Sequence, residues 1–176
     1  IEAISNGAAD GLMLMLNVGA MLIAFRSLIS LTDFCLTESS VWLMAKLQMD
    51  LPPLTLAGIL GWLFTPMAWL MGIPSQDCAV AGQLLGVKMM ATEFVAYEDL
   101  GKLMKLDSPP ISERTSVILT YALCGFSNFA SIGIQVGGIG AMAPDRRGEL
   151  TRLAFRAMLG GTLACCMTGC IAAVLI

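Results

Sequence analysis

Thirty consecutive residues of this chain, Thr115 to Pro144, carry no charged side chain. About 20 apolar residues are enough for a helix to cross the hydrocarbon core of a bilayer, so this stretch predicts a transmembrane segment. Its middle reads CGFSNFASIGIQ and contains two glycines, two serines and an asparagine. Polar groups at that depth are tolerated only where they face protein or a water-filled cavity. The stretch therefore predicts an interrupted helix that lines a cavity.

The composition places the whole chain in a lipid bilayer. Of its 176 residues, 57% are hydrophobic and 13% are charged, with a mean hydropathy of +0.79, whereas soluble domains carry about 25% charge. The chain contains no histidine, which excludes histidine-based metal and haem sites and a Ser-His-Asp triad. Nothing in the composition supports nucleic-acid binding. We expect no organic cofactor, no metal site and no enzyme activity, since no nucleophile-base constellation is present.

The apolar runs predict an all-α membrane protein with about four transmembrane helices and one re-entrant helical hairpin. The spans are expected near residues 11–31, 51–76, 115–143 and 157–176. The segment Asp33 to Asp50 is more polar and predicts an interfacial connection. Residues 77–105 form two apolar pieces of about 10 to 14 residues around a polar centre, too short to span a bilayer. The predicted arrangement is a helix, a turn near Ala91 to Glu93, and a second helix that returns to the same side of the bilayer.

The distribution of arginines predicts the orientation. Four arginines lie between the third and fourth predicted spans: Arg146, Arg147, Arg152 and Arg156. Because Lys and Arg are enriched in cytoplasmic loops, this loop is predicted to be cytoplasmic in a multi-pass protein of the cell membrane. Both ends of the hairpin and the C-terminus then lie outside. The chain begins at Ile1 without an initiator methionine, so we expect it to be a piece of a longer protein.

Glu93, at the predicted turn of the hairpin, is the candidate for chemistry. A charged side chain at the centre of a bilayer costs roughly 2.5 to 3.5 kcal/mol on insertion scales, so it is kept where it faces a cavity or a partner. A neutralising pair with Lys88 is the structural alternative, although residues five apart lie on different faces of a helix. Asn128 and the two serines of the interrupted segment offer hydrogen-bond donors and acceptors. Packing of small residues through Gly133 and Gly137 is the alternative explanation for that segment.

Four stretches resemble the C-terminal half of the concentrative nucleoside transporters: NGAADGLMLMLNVGAMLIAF, ILGWLFTPMAWLMGIP, LLGVKMMATEFVAY and YALCGFSNFASIGIQVGGIGAMAP. The resemblance runs from about Asn6 to the end of the chain and corresponds to the fifth to eighth transmembrane segments with the second re-entrant hairpin. It implies a homotrimer of inverted repeats that couples nucleoside uptake, for example of uridine, to entry of Na⁺ or H⁺. The first half, with most nucleobase contacts and the main ion site, is missing from this chain.

The same resemblance implies roles for five residues. Glu93 and Asn128 would bind the ribose hydroxyls, Ser131 would also contact the ribose, and Phe126 would line the pocket. Thr92 stands where many bacterial members have asparagine, which places its role at the hairpin tip or in coupling in doubt. Residues 51–76 would belong to the trimeric scaffold, against which the hairpin and the interrupted helix move. A passive facilitator or channel for nucleosides or other polar solutes is the alternative function, and an intramembrane enzyme that uses Glu93 as an acid or base is a more distant one.

Overall fold

A computed structural model of the chain describes residues 2–47 and 53–176. The secondary structure of these residues is helical, and they contain no strand. The elements in chain order are α1 (Glu2–Leu47), α2 (Leu56–Leu70), α3 (Cys78–Met90), α4 (Glu93–Met104), α5 (Glu113–Leu123), α6 (Phe129–Met142), a 3₁₀ turn (Pro144–Arg146) and α7 (Arg147–Leu175).

The first span, predicted at 11–31, is part of a much longer helix. Helix α1 has 46 residues, which corresponds to about 69 Å at 1.5 Å per residue. The separate interfacial connection predicted over Asp33 to Asp50 is wrong as far as Leu47, and its last residues lie outside the described part. The physical reason is that neither Gly nor Pro occurs between Ala20 and Leu51. Isolated charges project from a helix without ending it, whereas Gly and Pro weaken or break it.

The helices that occupy the second and fourth predicted spans also begin or end at residues other than the predicted ones. The predicted span 51–76 contains helix α2, which has only 15 residues. Thr55 caps its first turn, and Gly72, at a φ of +82°, follows its last turn. Helix α7 begins at Arg147, ten residues before the predicted span 157–176. Three of the four arginines between the predicted spans, Arg147, Arg152 and Arg156, lie in α7, and arginine is a good helix former.

Two helices of the described residues are long and apolar enough to cross a membrane, Glu2–Leu47 and Pro144–Leu175. The five described helices between them are shorter, and four of these, α3 to α6, form two consecutive pairs. Helices α3 and α4 occupy the segment predicted as a hairpin, with Ala91 and Thr92 between them, and α5 and α6 occupy the uncharged segment, with residues 124–128 between them. The depth of these pairs in a bilayer stays a prediction.

Helices α2 and α3 pack with their backbones in contact. A Cβ on Gly82 would lie 2.5 Å from the carbonyl oxygen of Gly61, and one on Gly86 would lie 2.6 Å from the Gly61 nitrogen. The buried core continues from this pair onto α5 through Phe64, Leu85 and Ile118, among others. Glycines permit this approach because they lack the atom that would collide, as in the small-residue contacts of membrane helices.

Several helix ends are joined at one end of the molecule. The carboxylate of Asp77, just before α3, accepts hydrogen bonds from the backbone and hydroxyl of Ser112 and from the hydroxyl of Thr115, at 3.0, 2.9 and 2.6 Å. Arg114 donates to the carbonyl oxygens of Gly72 and Ala173 at 2.8 and 2.7 Å. The ends of α2 and α7 and the starts of α3 and α5 therefore lie together.

Candidate functional site

The candidate site is built around the non-helical residues 124–128 between α5 and α6. Helix α5 ends at Leu123, and the next residue, Cys124, has an extended backbone. Gly125 follows, and a Cβ on this residue would overlap the sulfur of Cys165 on α7. Glycine is therefore required here by the close approach of α7, and its lack of helix propensity favours the break.

Asn128 starts the second helix and fixes the geometry of the site. Its side-chain Oδ1 accepts hydrogen bonds from the backbone N–H and the hydroxyl of Ser131, both at 2.8 Å, and the residue is only 1% exposed. Asparagine is a preferred N-cap because its oxygen replaces a missing intrahelical acceptor. Since the Ser131 N–H can only donate, Oδ1 must face α6, and the amide nitrogen of Asn128 points the other way.

Glu93 meets that amide nitrogen from the tip of the α3–α4 pair. Its Oε2 accepts a hydrogen bond from Asn128 Nδ2 at 3.1 Å. Glu93 is the first residue of α4, after Thr92 in an extended conformation, and a carboxylate is favourable at the positive end of a helix. The first turns of two short helices, α4 and α6, thus contribute an acceptor and a donor to one point.

The α3–α4 pair also contacts the α5 side of the same break. Tyr97 on α4 donates its hydroxyl to the carbonyl oxygen of Thr120 at 2.6 Å, and Lys88 on α3 donates to the carbonyl oxygen of Ala122 at 3.0 Å. Both acceptors lie in the last turn of α5, where carbonyl groups lack intrahelical partners. The α3–α4 pair therefore supplies donors to the carbonyl end of α5 and an acceptor to the amide at the start of α6.

A cavity of about 260 Å³ opens between α6 and α7 next to this contact. Ser127, Ser131 and Gln135, spaced four residues apart, line its α6 side together with Phe126, and Gly161 is among the residues of its α7 side. Phe126 is 55% exposed, whereas Ser127 and Ser131 are 6% and 4% exposed. Ser131 belongs both to the Asn128 cap and to the cavity wall, so it connects the two.

The structure brings Glu93, Asn128 and Ser131 into one hydrogen-bonded chain and places Phe126 beside it. Thr92 stands next to Glu93 at the tip, half-buried, and its side chain makes no capping hydrogen bond. One assumption about Asn128 needs correction. We expected its amide to offer both a donor and an acceptor, but the acceptor is occupied by the α6 cap. Ligand binding by these five residues stays a prediction.

The two structural alternatives were a pair between Glu93 and Lys88 and small-residue packing through Gly133 and Gly137, and the structure contains only the second. The pair between Glu93 and Lys88 is not formed, because Lys88 donates to Ala122 instead. Packing through Gly133 and Gly137 does occur, since added Cβ atoms would lie 2.6 Å from the Phe25 ring and 3.0 Å from Met21, both on α1. The segment after the break therefore combines a polar start with a small-residue contact further along α6.

Sequence reasoning missed Tyr97, Gln135 and the role of Lys88. Tyr97 follows Glu93 by four residues and Gln135 follows Ser131 by four, a spacing that places each pair on one helix face. That spacing was the available signal. The contact of Lys88 with α5 had no local signal, because its acceptor is 34 residues away along the chain.

Comparison with known proteins gives one consistent result. Residues 1–173 match the family described as Na⁺-dependent nucleoside transporter, C-terminus. An uncharacterized transporter of Haemophilus influenzae is 43% identical over 178 residues, and the nucleoside permease NupC of Helicobacter pylori is 40% identical over 178 residues. Both matches cover 100% of this chain and 41% of the relative. The chain therefore spans about two-fifths of the length of these curated relatives.

Solved structures extend the likeness to the fold. A variant of CNTnw in an outward-facing state is 38% identical, with a TM-score of 0.90 over 99% of this chain and 42% of that one. CNTnw in an inward-facing, substrate-bound state is also 38% identical, with a TM-score of 0.72 over 97% and 40%. The arrangement of helices in this chain is thus more similar to the outward-facing structure than to the inward-facing one.

Proposed function

The chain belongs to the Na⁺-dependent, concentrative nucleoside transporter family, and on this premise we propose that it is the C-terminal part of a nucleoside:cation symporter. The transporter would carry a nucleoside such as uridine into the cell together with Na⁺ or H⁺. The observation that supports this proposal most directly is the contact between Glu93 Oε2 and Asn128 Nδ2 at 3.1 Å, where the tip of one helix pair meets the break of another. Short helix ends that meet in this way are typical of transporter substrate sites near the middle of the bilayer.

The hydrogen-bonding capacity left at this contact suits the ribose of a nucleoside. A ribose presents two neighbouring hydroxyl groups, each of which can donate one hydrogen bond and accept others. Glu93 can accept through its second oxygen, and Asn128 can donate through its second amide hydrogen. Without a sugar the two side chains satisfy each other, and with a sugar they would bind its adjacent hydroxyls. Ser131, fixed by the same cap, is placed to contact the ribose as well.

The remaining proposed roles concern the pocket wall and the tip. Phe126, at the rim of the 260 Å³ cavity, would line the substrate pocket, and Thr92 would shape the hairpin tip beside Glu93. Most nucleobase contacts and the main ion site would come from the N-terminal half of the full-length protein. This division agrees with the 41% of the relatives' length that the chain covers.

For the membrane arrangement we propose a multi-pass protein of the cell membrane, assembled as a homotrimer, with the α3–α4 pair as a re-entrant hairpin. The segment from Arg146 to Arg156, which comprises the end of the 3₁₀ turn and the start of α7, would be cytoplasmic and the C-terminus outside. The hydrogen bonds of Arg114 to Gly72 and Ala173 support this topology, because they hold the C-terminal ends of α2 and α7 on the same side as the start of α5.

Uptake of labelled uridine by the full-length transporter in proteoliposomes tests the proposal. Glu93→Gln keeps the size of the side chain but removes the charged acceptor, and a hydrogen bond to a charged group contributes about 1.5 to 3 kcal/mol. We therefore expect an approximately 10- to 100-fold loss of uridine affinity. Glu98→Gln is the matched control, since Glu98 lies on the same helix, is exposed and contacts Lys102 at 2.8 Å, and this variant should transport normally.

Two variants of Asn128 separate substrate binding from helix capping. Asn128→Ala removes both the amide donor and the N-cap, whereas Asn128→Ser retains a preferred capping group. Both should lose uridine transport, but only the alanine variant should lose about 0.5 to 2 kcal/mol of stability. Wild-type uptake by Glu93→Gln and by Asn128→Ser would contradict the assigned site.

Measurement of gradients separates a symporter from a passive facilitator. A symporter accumulates uridine above its external concentration, and this accumulation stops when Na⁺ is removed or the proton gradient is collapsed. Equilibration without accumulation under every ion gradient would favour the facilitator. Recovery of chemically unmodified uridine inside the vesicles would exclude an enzyme.

A further inference from the structure

Lys88 is a buried basic residue that the proposed function does not use. It lies in α3 and is 2% exposed, and its amino group donates to the carbonyl oxygen of Ala122 at 3.0 Å. Within residues 2–47 and 53–176, the ion pairs closer than 4.0 Å join Lys102 to Glu98 and Asp99, and Arg146 to Glu149. The amino group of Lys88 therefore lies in the interior without a carboxylate partner in the described part of the chain.

The carbonyl end of helix α5 compensates for the positive charge of the Lys88 amino group. The last carbonyl groups of a helix lack intrahelical partners and together carry about half a negative charge. Ala122 is the penultimate residue of α5, and the hydrogen bond from Lys88 satisfies its carbonyl oxygen. A long side chain can instead extend to the surface along an apolar path, but this one ends inside the protein at a carbonyl oxygen. Lys88 thus interacts with the negative end of α5.

Lys88 also lies close to the interruption itself. A Cβ on Gly125 would be 3.8 Å from the Lys88 amino nitrogen. Lys88 precedes Ala91, where α3 has ended, by three residues and Glu93 by five. The hydrogen bond of Lys88 therefore holds the C-terminal part of α3 against the α5 side of the break, while Glu93 contacts Asn128 on the α6 side.

The carbonyl end of a half-helix in an interrupted span is a place where transporters bind their coupling cations. In this chain, a tethered cation already occupies that place. We propose that Lys88 is a positioning residue that acts as a built-in cation at the carbonyl end of α5, so that the hairpin tip and Glu93 are ordered there without a bound ion. This inference rests on the proposed nucleoside site, because it predicts how well that site binds.

Uridine binding to the purified full-length transporter at a fixed, saturating Na⁺ concentration tests this role. Lys88→Met retains an apolar stem of similar length but removes the charged amino group, and Lys88→Ala removes most of the stem as well. Both should bind uridine about 10- to 100-fold more weakly, as expected for loss of a hydrogen bond from a charged donor. Ethylammonium, added to Lys88→Ala in increasing concentration, should enter the vacated space and restore binding at least fivefold.

Two controls make the response specific. Tyr97→Phe removes the other side-chain donor to the end of α5 without opening a space for a cation, so ethylammonium should not change its uridine affinity. The wild-type protein should not respond either. Ethanol, a neutral molecule of similar size, should fail to restore binding to Lys88→Ala.

The outcomes distinguish this inference from the proposed function. If the wild-type protein does not bind uridine, the proposed function fails. If it binds uridine and Lys88→Met binds equally well, Lys88 is only a packing residue and the inference alone fails. Loss of binding in Lys88→Ala without recovery in ethylammonium would also overturn it, as would failure of both variants to give monodisperse protein with or without the amine.

Discussion

The α3–α4 pair has two very different contact surfaces. Its outer surface packs on α2 through glycines, with the backbone of Gly82 so close to that of Gly61 that a Cβ would lie 2.5 Å from the Gly61 carbonyl oxygen. Its tip and inner surface contact the α5–α6 break through hydrogen bonds from Lys88 and Tyr97 and to Glu93. One contact is steric and apolar, and the other is polar.

The difference indicates what each contact can do. Backbone packing between glycines has a single geometry and no groups that a solute could replace. Hydrogen bonds between side chains can be exchanged for hydrogen bonds to a ligand of similar chemistry at little net change in free energy. The α2–α3 contact is therefore fixed by sterics, whereas the contact at the break is the one that a substrate bound as proposed above would alter.

The largest expected effect is at the steric contact. Gly82→Ala would place a methyl group against the Gly61 carbonyl oxygen and the Thr65 backbone nitrogen, at 2.5 and 2.9 Å. Backbone atoms cannot move aside as a flexible side chain can, so we expect a loss of about 3 kcal/mol or more, at the upper end of overpacking effects. Thermal unfolding of the full-length transporter measures this loss.

Gly101→Ala is the matched control for this experiment. Gly101 lies on α4 of the same pair, and among the described residues a Cβ there would meet no atom within 4 Å beyond its chain neighbours and its own helix backbone. Because alanine favours a helix by about 1 kcal/mol over glycine, this variant should be as stable as the wild type or slightly more stable. Equal stability of Gly82→Ala and Gly101→Ala would contradict the steric description of the α2–α3 contact.

The base of the α3–α4 pair sharpens the comparison, because its contact is polar but lies away from the proposed substrate site. Asp77 lies there, outside the proposed membrane-spanning segments, and accepts three hydrogen bonds through one oxygen. Burial alone raises the pKa of Asp77, but hydrogen bonds from the Thr115 hydroxyl and from the backbone and hydroxyl of Ser112 oppose it, and the net pKa lies below its ordinary value of 3.8.

A carboxyl group with a lowered pKa in the folded state stabilises the protein at high pH. This contribution is complete above about pH 4, where the group is ionised even in the unfolded chain, and is lost as the pH falls through the folded-state pKa. Asp77→Asn should therefore cost about 1.5 to 3 kcal/mol at pH 7 and less at pH 3. Melting curves from pH 7 to pH 3 test this prediction, and Asp107→Asn, which changes an exposed carboxylate, should leave them unaltered.

The smallest expected effect is at the exchangeable contact. Tyr97→Phe removes the hydroxyl that donates to Thr120 at 2.6 Å, and a neutral hydrogen bond contributes about 0.5 to 1.5 kcal/mol. We expect uridine affinity to fall roughly two- to tenfold with little change in the melting temperature. A loss of stability as large as that of Gly82→Ala would show that the two contacts of the hairpin do not differ in kind.

Much of the architecture could be predicted because it depends on local patterns. The helical pair over 77–105 follows from two short apolar pieces around a polar centre, and the interruption at residues 124–128 follows from a glycine and a capping asparagine within an uncharged run. Helix bounds were less predictable. The first span is predicted to end at Leu31 because the sequence becomes polar there, but α1 continues to Leu47 because polarity alone does not end a helix.

The sequence by itself determined the membrane environment, the family and the residue types available to the site, because composition, apolar run length and the motifs EFVAY and GFSNFASIGI are properties of neighbouring residues. Only the tertiary structure decided how those residues pair. The contacts of Glu93 with Asn128 and of Lys88 with Ala122 each join residues more than 30 positions apart. Such pairing depends on how the helices pack, which for α3 involves glycine contacts with α2.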